Sequence, residues 1–262
     1  SIFMELKPKI VAIVQARMGS TRLPGKILKP IQGKPMLWHI VTRLNVIDEI
    51  DEVVIATSDL SSDDQVSKMA TNYGIVCFRG SESDVLKRFF HAANMVNAKH
   101  VMRITGDCPL VDPPTIKKVV KLYFDGDFDY CGVACGAGVA KEKNINRFPD
   151  GLDAEIFSYD VLKEAYSEAS TDLYREHVTP FIWQNKKRYK LGSLYSENDY
   201  SDIRLTVDNR EDFDFISWIY DMLYPNNLYF DLQNILELLE NNPDVMTNKH
   251  LIGQEGYEKF WN

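Results

Sequence analysis

No run of about 18 apolar residues occurs in the 262-residue chain, so no membrane-spanning helix is expected. The first residues carry no signal-peptide apolar core, and cytoplasmic residence is the default expectation. Cysteine is sparse. Cys77, Cys108, Cys131 and Cys135 sit in apolar or turn segments without a second Cys pair or a flanking His, which leaves no zinc set and favours reduced, buried thiols. Basic residues are outnumbered, 30 Lys and Arg against 38 Asp and Glu, for a formal net charge of -8. That balance argues against nonspecific nucleic-acid binding, which needs an extended basic face. Neither common phosphate fingerprint occurs, because the chain holds no Gly-Lys-Ser/Thr and no G-x-G-x-x-G, and a Walker or dinucleotide loop is thereby set aside.

A further absence is local. From Lys7 to Val46 there is no Asp or Glu, whereas eight Lys and Arg fall there. Such a reversal of sign in an acidic chain points to an anionic ligand. Its centre is Gln15-Ala16-Arg17-Met18-Gly19-Ser20-Thr21-Arg22-Leu23-Pro24-Gly25-Lys26. The preceding Ile10-Val11-Ala12-Ile13-Val14 has the length and β-branching of a strand buried on both faces, so the loop leaves the end of a central strand. Gly19 and Gly25 allow backbone N–H groups to close on an anion, and Arg17, Arg22 and Lys26 add positive charge. A solvated basic loop with ordinary turn glycines is the plain alternative; a phosphate site is the reading the charge pattern favours.

With 45% hydrophobic residues the chain can bury one large core, and it reads as a single domain over residues 4–262. Leu37, Ile40, Val41 and Leu44 form a helical face, with His39 expected on the helix flank. Strands at 52–57, 75–78 and 100–104 alternate with helices at about 61–72 and 83–96, a rhythm that implies a parallel sheet covered on both sides. Asp112-Pro113 reads as the N-cap and first residue of another helix. Beyond Asp125 the rhythm weakens. A strand at 130–133, a loop over 136–149, a half-buried strand at 151–157, helices at 158–169 and 172–185 and a strand at 189–195 make residues 127–200 an expected insertion for acceptor binding and dimer contacts. Ile203-Arg204-Leu205-Thr206-Val207 then reads as a core strand, followed by amphipathic helices from Glu211 and after Asp231.

Two carboxylates stand at expected strand ends. Asp107 follows Gly106 past the fourth strand, where ligands bind in open α/β sheets, and Asp208 ends the 203–207 run. Asp208 is equally explicable as a helix cap; pairing with Asp107 favours a metal site. Mg²⁺ commonly takes one or two carboxylates with substrate phosphates completing its shell. A basic loop for a triphosphate beside two such carboxylates is a set of parts for transfer at phosphorus, with no covalent nucleophile required.

The motifs Val14-Gln15-Ala16-Arg17-x-Gly19-Ser20-x-Arg22-Leu23-Pro24-Gly25-Lys26, Ile55-Ala56-Thr57, Thr105-Gly106-Asp107-x-Pro109 and Thr206-Val207-Asp208-x-x-Glu211-Asp212-Phe213 resemble those of cytidylyltransferases that activate acidic sugars. The resemblance is nearest to the spore-coat-polysaccharide-protein-F-like branch, related to the synthetases of CMP-sialic acid and CMP-ketodeoxyoctulosonate. It implies a three-layer α/β/α nucleotidyltransferase fold, Rossmann-like, with a mostly parallel mixed sheet and usually a homodimer. It also implies a CTP site made by Ala16, Arg17, Gly19, Ser20, Arg22, Lys26, Thr57, Arg79, Ser83 and Thr105. Arg17, Lys26, Asp107 and Asp208 would be catalytic, with Mg²⁺ on the two aspartates. Thr105 stands where ketodeoxyoctulosonate enzymes have glutamine. For a small anionic acceptor the resemblance marks Asp153, Glu155, Arg175 and His177, from Gly151-Leu152-Asp153-Ala154-Glu155 and Arg175-Glu176-His177-Val178-Thr179-Pro180. The implied activity is Mg²⁺-dependent transfer of CMP from CTP to an acidic sugar, with release of pyrophosphate. A metal-dependent glycosyltransferase of similar fold and a nucleotide-binding protein with a degenerate site are the alternatives.

Overall fold

The computed structural model describes residues 8–135 and 145–252. Its centre is β1 (Ile10–Gln15), whose side chains alternate between two cores. Ile10, Ala12 and Val14 enter one apolar cluster while Val11 and Ile13 enter another, and each is no more than 1% exposed. Burial on both faces explains the unbroken apolar run that marks this strand in the sequence.

Parallel to β1 on one side runs β4 (Glu52–Ser58), followed outward by β5 (Val76–Gly80); on the other side runs β6 (His100–Thr105), also parallel. Beyond β6 the sheet changes character. There β8 (Glu155–Ser158) pairs antiparallel with both β6 and β7 (Tyr130–Val133), and β9 (Leu191–Leu194) lies parallel to β7. The order of this seven-stranded sheet is β5-β4-β1-β6-β8-β7-β9. A two-stranded ribbon of β2 (Pro30–Ile31) and β3 (Lys34–Pro35) stands apart.

Helices cover both faces. On the first lie α1 (Met36–Asn45), α2 (Asp64–Asn72), α4 (Pro113–Asp125), α8 (Arg210–Leu223) and α9 (Leu232–Asn241). On the second lie α3 (Val85–Met95), α5 (Tyr159–Glu168), α6 (Asp172–His177) and α7 (Pro180–Trp183). The result is the three-layer α/β/α arrangement with a mostly parallel mixed sheet. Because the chain goes outward from β1 through β4 and β5 and then crosses back to β6, the carboxyl ends of β1 and β6 border a topological switch point, the usual ligand crevice of such sheets.

Several expectations need correction. The 203–207 segment is extended and buried, but it joins no ladder: its only β contact among the described residues is a bridge between Arg204 and Asp150. Its backbone bonds go instead to loops, with Leu205 N donating to Asp150 O (2.7 Å) and Val207 N to Asp107 O (2.8 Å). The strand expected at 151–157 begins only at Glu155, after a turn. The helix expected over 172–185 is broken, because Val178 takes a left-handed φ of 70° and Pro180 starts the next segment. His39 is not on a helix flank: it is 2% exposed and bonded to Ile31 O (2.6 Å). Residues 136–144 of the expected 136–149 loop lie outside the described residues.

Candidate active site

The 15–26 loop is shaped by its own backbone. Ser20 N and Gly25 N both donate to Met18 O, at 2.9 and 3.0 Å, and Ser20 Oγ accepts from Leu23 N. Gly25 has φ 69°, a conformation that excludes most side chains, and it starts the short helical turn carrying Lys26. From below, Asp63 Oδ1 accepts from Met18 N (2.7 Å), and its other oxygen bonds Ser58. Ala16 is buried, its N–H donating to Ala56 O. Arg17, Gly19 and Arg22 stand exposed, with Arg17 reaching Glu82 at 3.4 Å.

Lys26 points inward. Its Nζ donates to Val207 O (2.9 Å) and lies 3.4 Å from Asp208 Oδ1, joining residues 181 and 182 positions apart in the sequence. Val207 N in turn bonds Asp107 O, so Lys26, Asp208 and Asp107 converge. The loop bearing Asp107 is pressed against β1: Gly106 N donates to Gln15 O (2.8 Å), and a Cβ at 106 would lie 2.9 Å from that oxygen. Thr105 Oγ1 donates to Asp107 Oδ1 (2.6 Å), fixing one carboxylate oxygen.

Asp208 does not cap α8. Asn209 holds that position, and Asp212 Oδ2 accepts from both Asp208 N (3.0 Å) and Asn209 N (3.1 Å). Fully buried Arg204 spans Asp212 (2.9 and 3.0 Å) and Asp208 Oδ2 (3.0 Å), while Asn248 Nδ2 closes the cluster on Asp212 Oδ1 (2.9 Å). Burial, then the neighbouring charge of Asp107, raises the Asp208 carboxyl above its ordinary value, against the pull of Lys26 and Arg204. Burial also pushes Asp153 up to about 7, with Asp107 adding to the effect against the bond from Gly151 N. Two carboxylates that repel each other in a half-buried place, offering only hard oxygen donors, suit a hard divalent cation. Among the described residues no three His, Cys, Asp or Glu side chains group to hold an ion unaided, so oxygens of a ligand or water must complete its shell.

At the carboxyl end of β1 opens a cleft of about 630 Å³, lined by Gln15, Arg17, Ser83, Arg103, Arg175 and His177 among others. The expected acceptor residues differ here. Arg175 has its guanidinium engaged: Nε and Nη2 grip Asp84 (3.0 and 2.9 Å), and Nη1 donates to the carbonyls of Tyr166 and Ala169. Glu155 lies between Arg103 Nη1 (2.9 Å), Thr179 Oγ1 (2.7 Å) and the Tyr130 hydroxyl. Half-buried His177 borders the cleft. Of the expected nucleotide residues, Arg79 is occupied by Asp64 (2.8 Å) and the carbonyls of Ser58 and Leu60, and Thr57 is fully buried.

Arg103 and Arg204 do not emerge from motif reading as site residues. The available signal is the same for both: a single arginine inside an otherwise apolar extended segment, where a buried charge requires a partner.

A family model for cytidylyltransferases matches residues 11–252. The spore coat polysaccharide biosynthesis protein SpsF of Bacillus subtilis (strain 168) is 32% identical over 247 residues, 92% of this chain and 98% of that protein. A cytidylyltransferase structure from Leptospira borgpetersenii serovar Hardjo-bovis (strain JB197) is 30% identical with a TM-score of 0.82, covering 92% of this chain and 98% of that one. The structure of CMP:2-keto-3-deoxy-manno-octonic acid synthetase complexed with CTP shares the fold at 18% identity and a TM-score of 0.58, covering 82% and 99% of the two chains. A match across nearly all the described residues, on a sheet whose switch point gathers a basic loop and two aspartates, places the chain in the cytidylyltransferase family of nucleotidyltransferase enzymes.

Proposed function

We propose that the protein transfers CMP from CTP to a small sugar acid, releasing pyrophosphate, for the synthesis of a surface polysaccharide or related glycan. The observation that carries this reading is the convergence of Lys26 on Asp208 and, through Val207, on Asp107, which joins the loop after β1 to both strand-end carboxylates. Arg17, held among the described residues only by a 3.4 Å contact to Glu82, and exposed Arg22 would meet the triphosphate, and Lys26 would stand where charge develops on the departing pyrophosphate. Ala16, Gly19 and Ser20 supply the backbone that lines the nucleotide, with Ser83 at the cleft rim. Asp107 and Asp208 would hold Mg²⁺, which when bound would neutralise triphosphate oxygens. The acceptor oxygen attacks the α-phosphorus in line, and the bond to the pyrophosphate oxygen breaks.

Residues 127–200 supply β8 and α6 beside the cleft, which supports their assignment to the acceptor side; dimer contacts are assigned to the same span. Cys77, Cys108, Cys131 and Cys135 form no disulfide, which suits a reducing compartment, and we place the reaction in the cytoplasm. Pyrophosphate release from CTP, measured against a panel of sugar acids with and without Mg²⁺, tests the proposal. Release that requires both the acceptor and the metal is expected; CTP binding with no release for any acceptor overturns it.

A further inference from the structure

Four arginines line the cleft, and their hydrogen bonds separate them. A guanidinium has five N–H donors. Arg175 spends its three nitrogens on Asp84 and two carbonyls. Arg88, 1% exposed, is drawn down onto the carbonyls of Ser81 (2.9 Å) and Glu82 (2.8 Å). Arg17 is exposed on the triphosphate loop. Arg103 differs from all three. Its Nη1 donates to Glu155 and its Nη2 to Gln15 Oε1 (3.1 Å), while its buried Nε has no partner, and the side chain remains 16% exposed at the cleft.

Arg103 is also held firmly. Glu155 is fixed from its other side by Tyr130 and Thr179, and Thr179 Oγ1 accepts from Trp183 Nε1 (3.3 Å). The guanidinium is thus oriented by a carboxylate that has no freedom to turn away, an arrangement that lowers the entropy cost of receiving a planar anion. Gln15, which takes the second bond, pairs with Thr105 and accepts from Gly106 N, so this cation adjoins the strand ends from which the basic loop and Asp107 depart.

We propose that Arg103 seats the carboxylate of the acceptor sugar acid, with Glu155, Tyr130, Thr179 and Gln15 as positioning residues. The assignment rests on the cytidylyl-transfer reading above. It moves acceptor recognition from Arg175, whose donors hold α6 against the start of α3, to the middle of β6.

Calorimetric titration of 3-deoxy-manno-octulosonate and N-acetylneuraminate, each beside its C1 carboxamide, into protein loaded with a non-hydrolysable CTP analogue and Mg²⁺ is the test. The wild-type protein is expected to bind at least one acid and to prefer it over its amide. Arg103→Lys keeps a charge for Glu155 but loses the planar fork. It should weaken acid binding roughly ten- to hundredfold and narrow the acid-to-amide ratio, with unchanged affinity for the CTP analogue and a near-normal Tm. The Arg103→Gln/Glu155→Gln double variant, which leaves no unpaired charge, should lose the preference entirely. An unaltered preference in both variants, or no acid binding by wild-type protein that binds the CTP analogue, overturns the assignment. Failure to bind the CTP analogue overturns the cytidylyl-transfer reading instead.

Discussion

The two halves of the sheet handle charge in opposite ways. In the loop after β1, Arg17 and Arg22 project to solvent, Arg17 touching Glu82 at 3.4 Å, whereas Lys26 turns in to Asp208. On the side of β8 and its neighbours the strongest cations are already balanced, Arg103 by Glu155 and Arg175 by Asp84. A highly charged ligand suits the first design, since it supplies the missing counter-charge itself. A pre-balanced cleft gains less from raw attraction and more from orientation, which suits a ligand with one anionic group.

The largest expected effect falls where the halves meet. Asp107→Asn keeps the shape and the bond from Thr105 but removes a charge, and a loss of cytidylyl transfer on the order of a thousandfold is expected with Tm nearly unchanged. Near-normal pyrophosphate release by that variant would remove Asp107 from the proposed metal site. Next, Lys26→Ala should lower kcat about a hundredfold while leaving acceptor affinity close to normal. A change in acceptor KM alone would show that the two halves are not separable in this way.

On the other side the same kind of substitution should act on stability. Arg175→Ala breaks the two-pronged Asp84 contact and frees two carbonyls, and a loss of about 1–3 kcal/mol in chemical denaturation is expected, with the affinity for CTP unaltered. Retained stability together with a large rise in acceptor KM would return Arg175 to the binding surface. The smallest effect belongs to His39. Burial holds its pKa below 6.5, so the folded state resists a proton that the unfolded chain accepts. The His39 contribution to stability should therefore fall as pH drops from 6.5 toward the lower folded value and level off beneath it; urea titrations from pH 7.5 to 5 should show the difference in stability between wild type and His39→Gln shrinking or reversing with that sign.

The first half of the fold was legible because parallel strands buried on both faces leave apolar runs, and 10–14, 52–57 and 100–104 all lie in strands. The second half was legible in part: 130–133 and 189–195 contain β7 and β9, 158–169 contains α5, and helices follow near Glu211 and after Asp231 as expected. The misses are the short β8, which starts only at Glu155, the helix broken at Val178, and segment 203–207, which has a strand's composition while its N–H groups serve loops. Composition reports burial and is blind to the bonding partner. Of the candidate site, the convergence of the loop ending at Lys26 with Asp107 and Asp208 follows the expectation drawn from residue types and order that are unusual together. A lone arginine in each extended segment signals that Arg103 and Arg204 need a partner but not which one, and the partners of Arg103, Arg204 and Arg175 lie 52, 8 and 91 positions away.

The close approach at Gly106 has a consequence for how such a site could be altered. Because even a methyl group there would meet a backbone oxygen at 2.9 Å and Ala16 Cα at 3.5 Å, the gauge between the basic loop after β1 and the loop bearing Asp107 is fixed by atoms that cannot rotate away. Attempts to admit a bulkier leaving group by widening this gap would have to rebuild two strands, whereas the cleft beyond β6 can be recut one side chain at a time. The spacing at Gly106 is thereby the rigid part of the molecule, and the lining of the cleft the adjustable one.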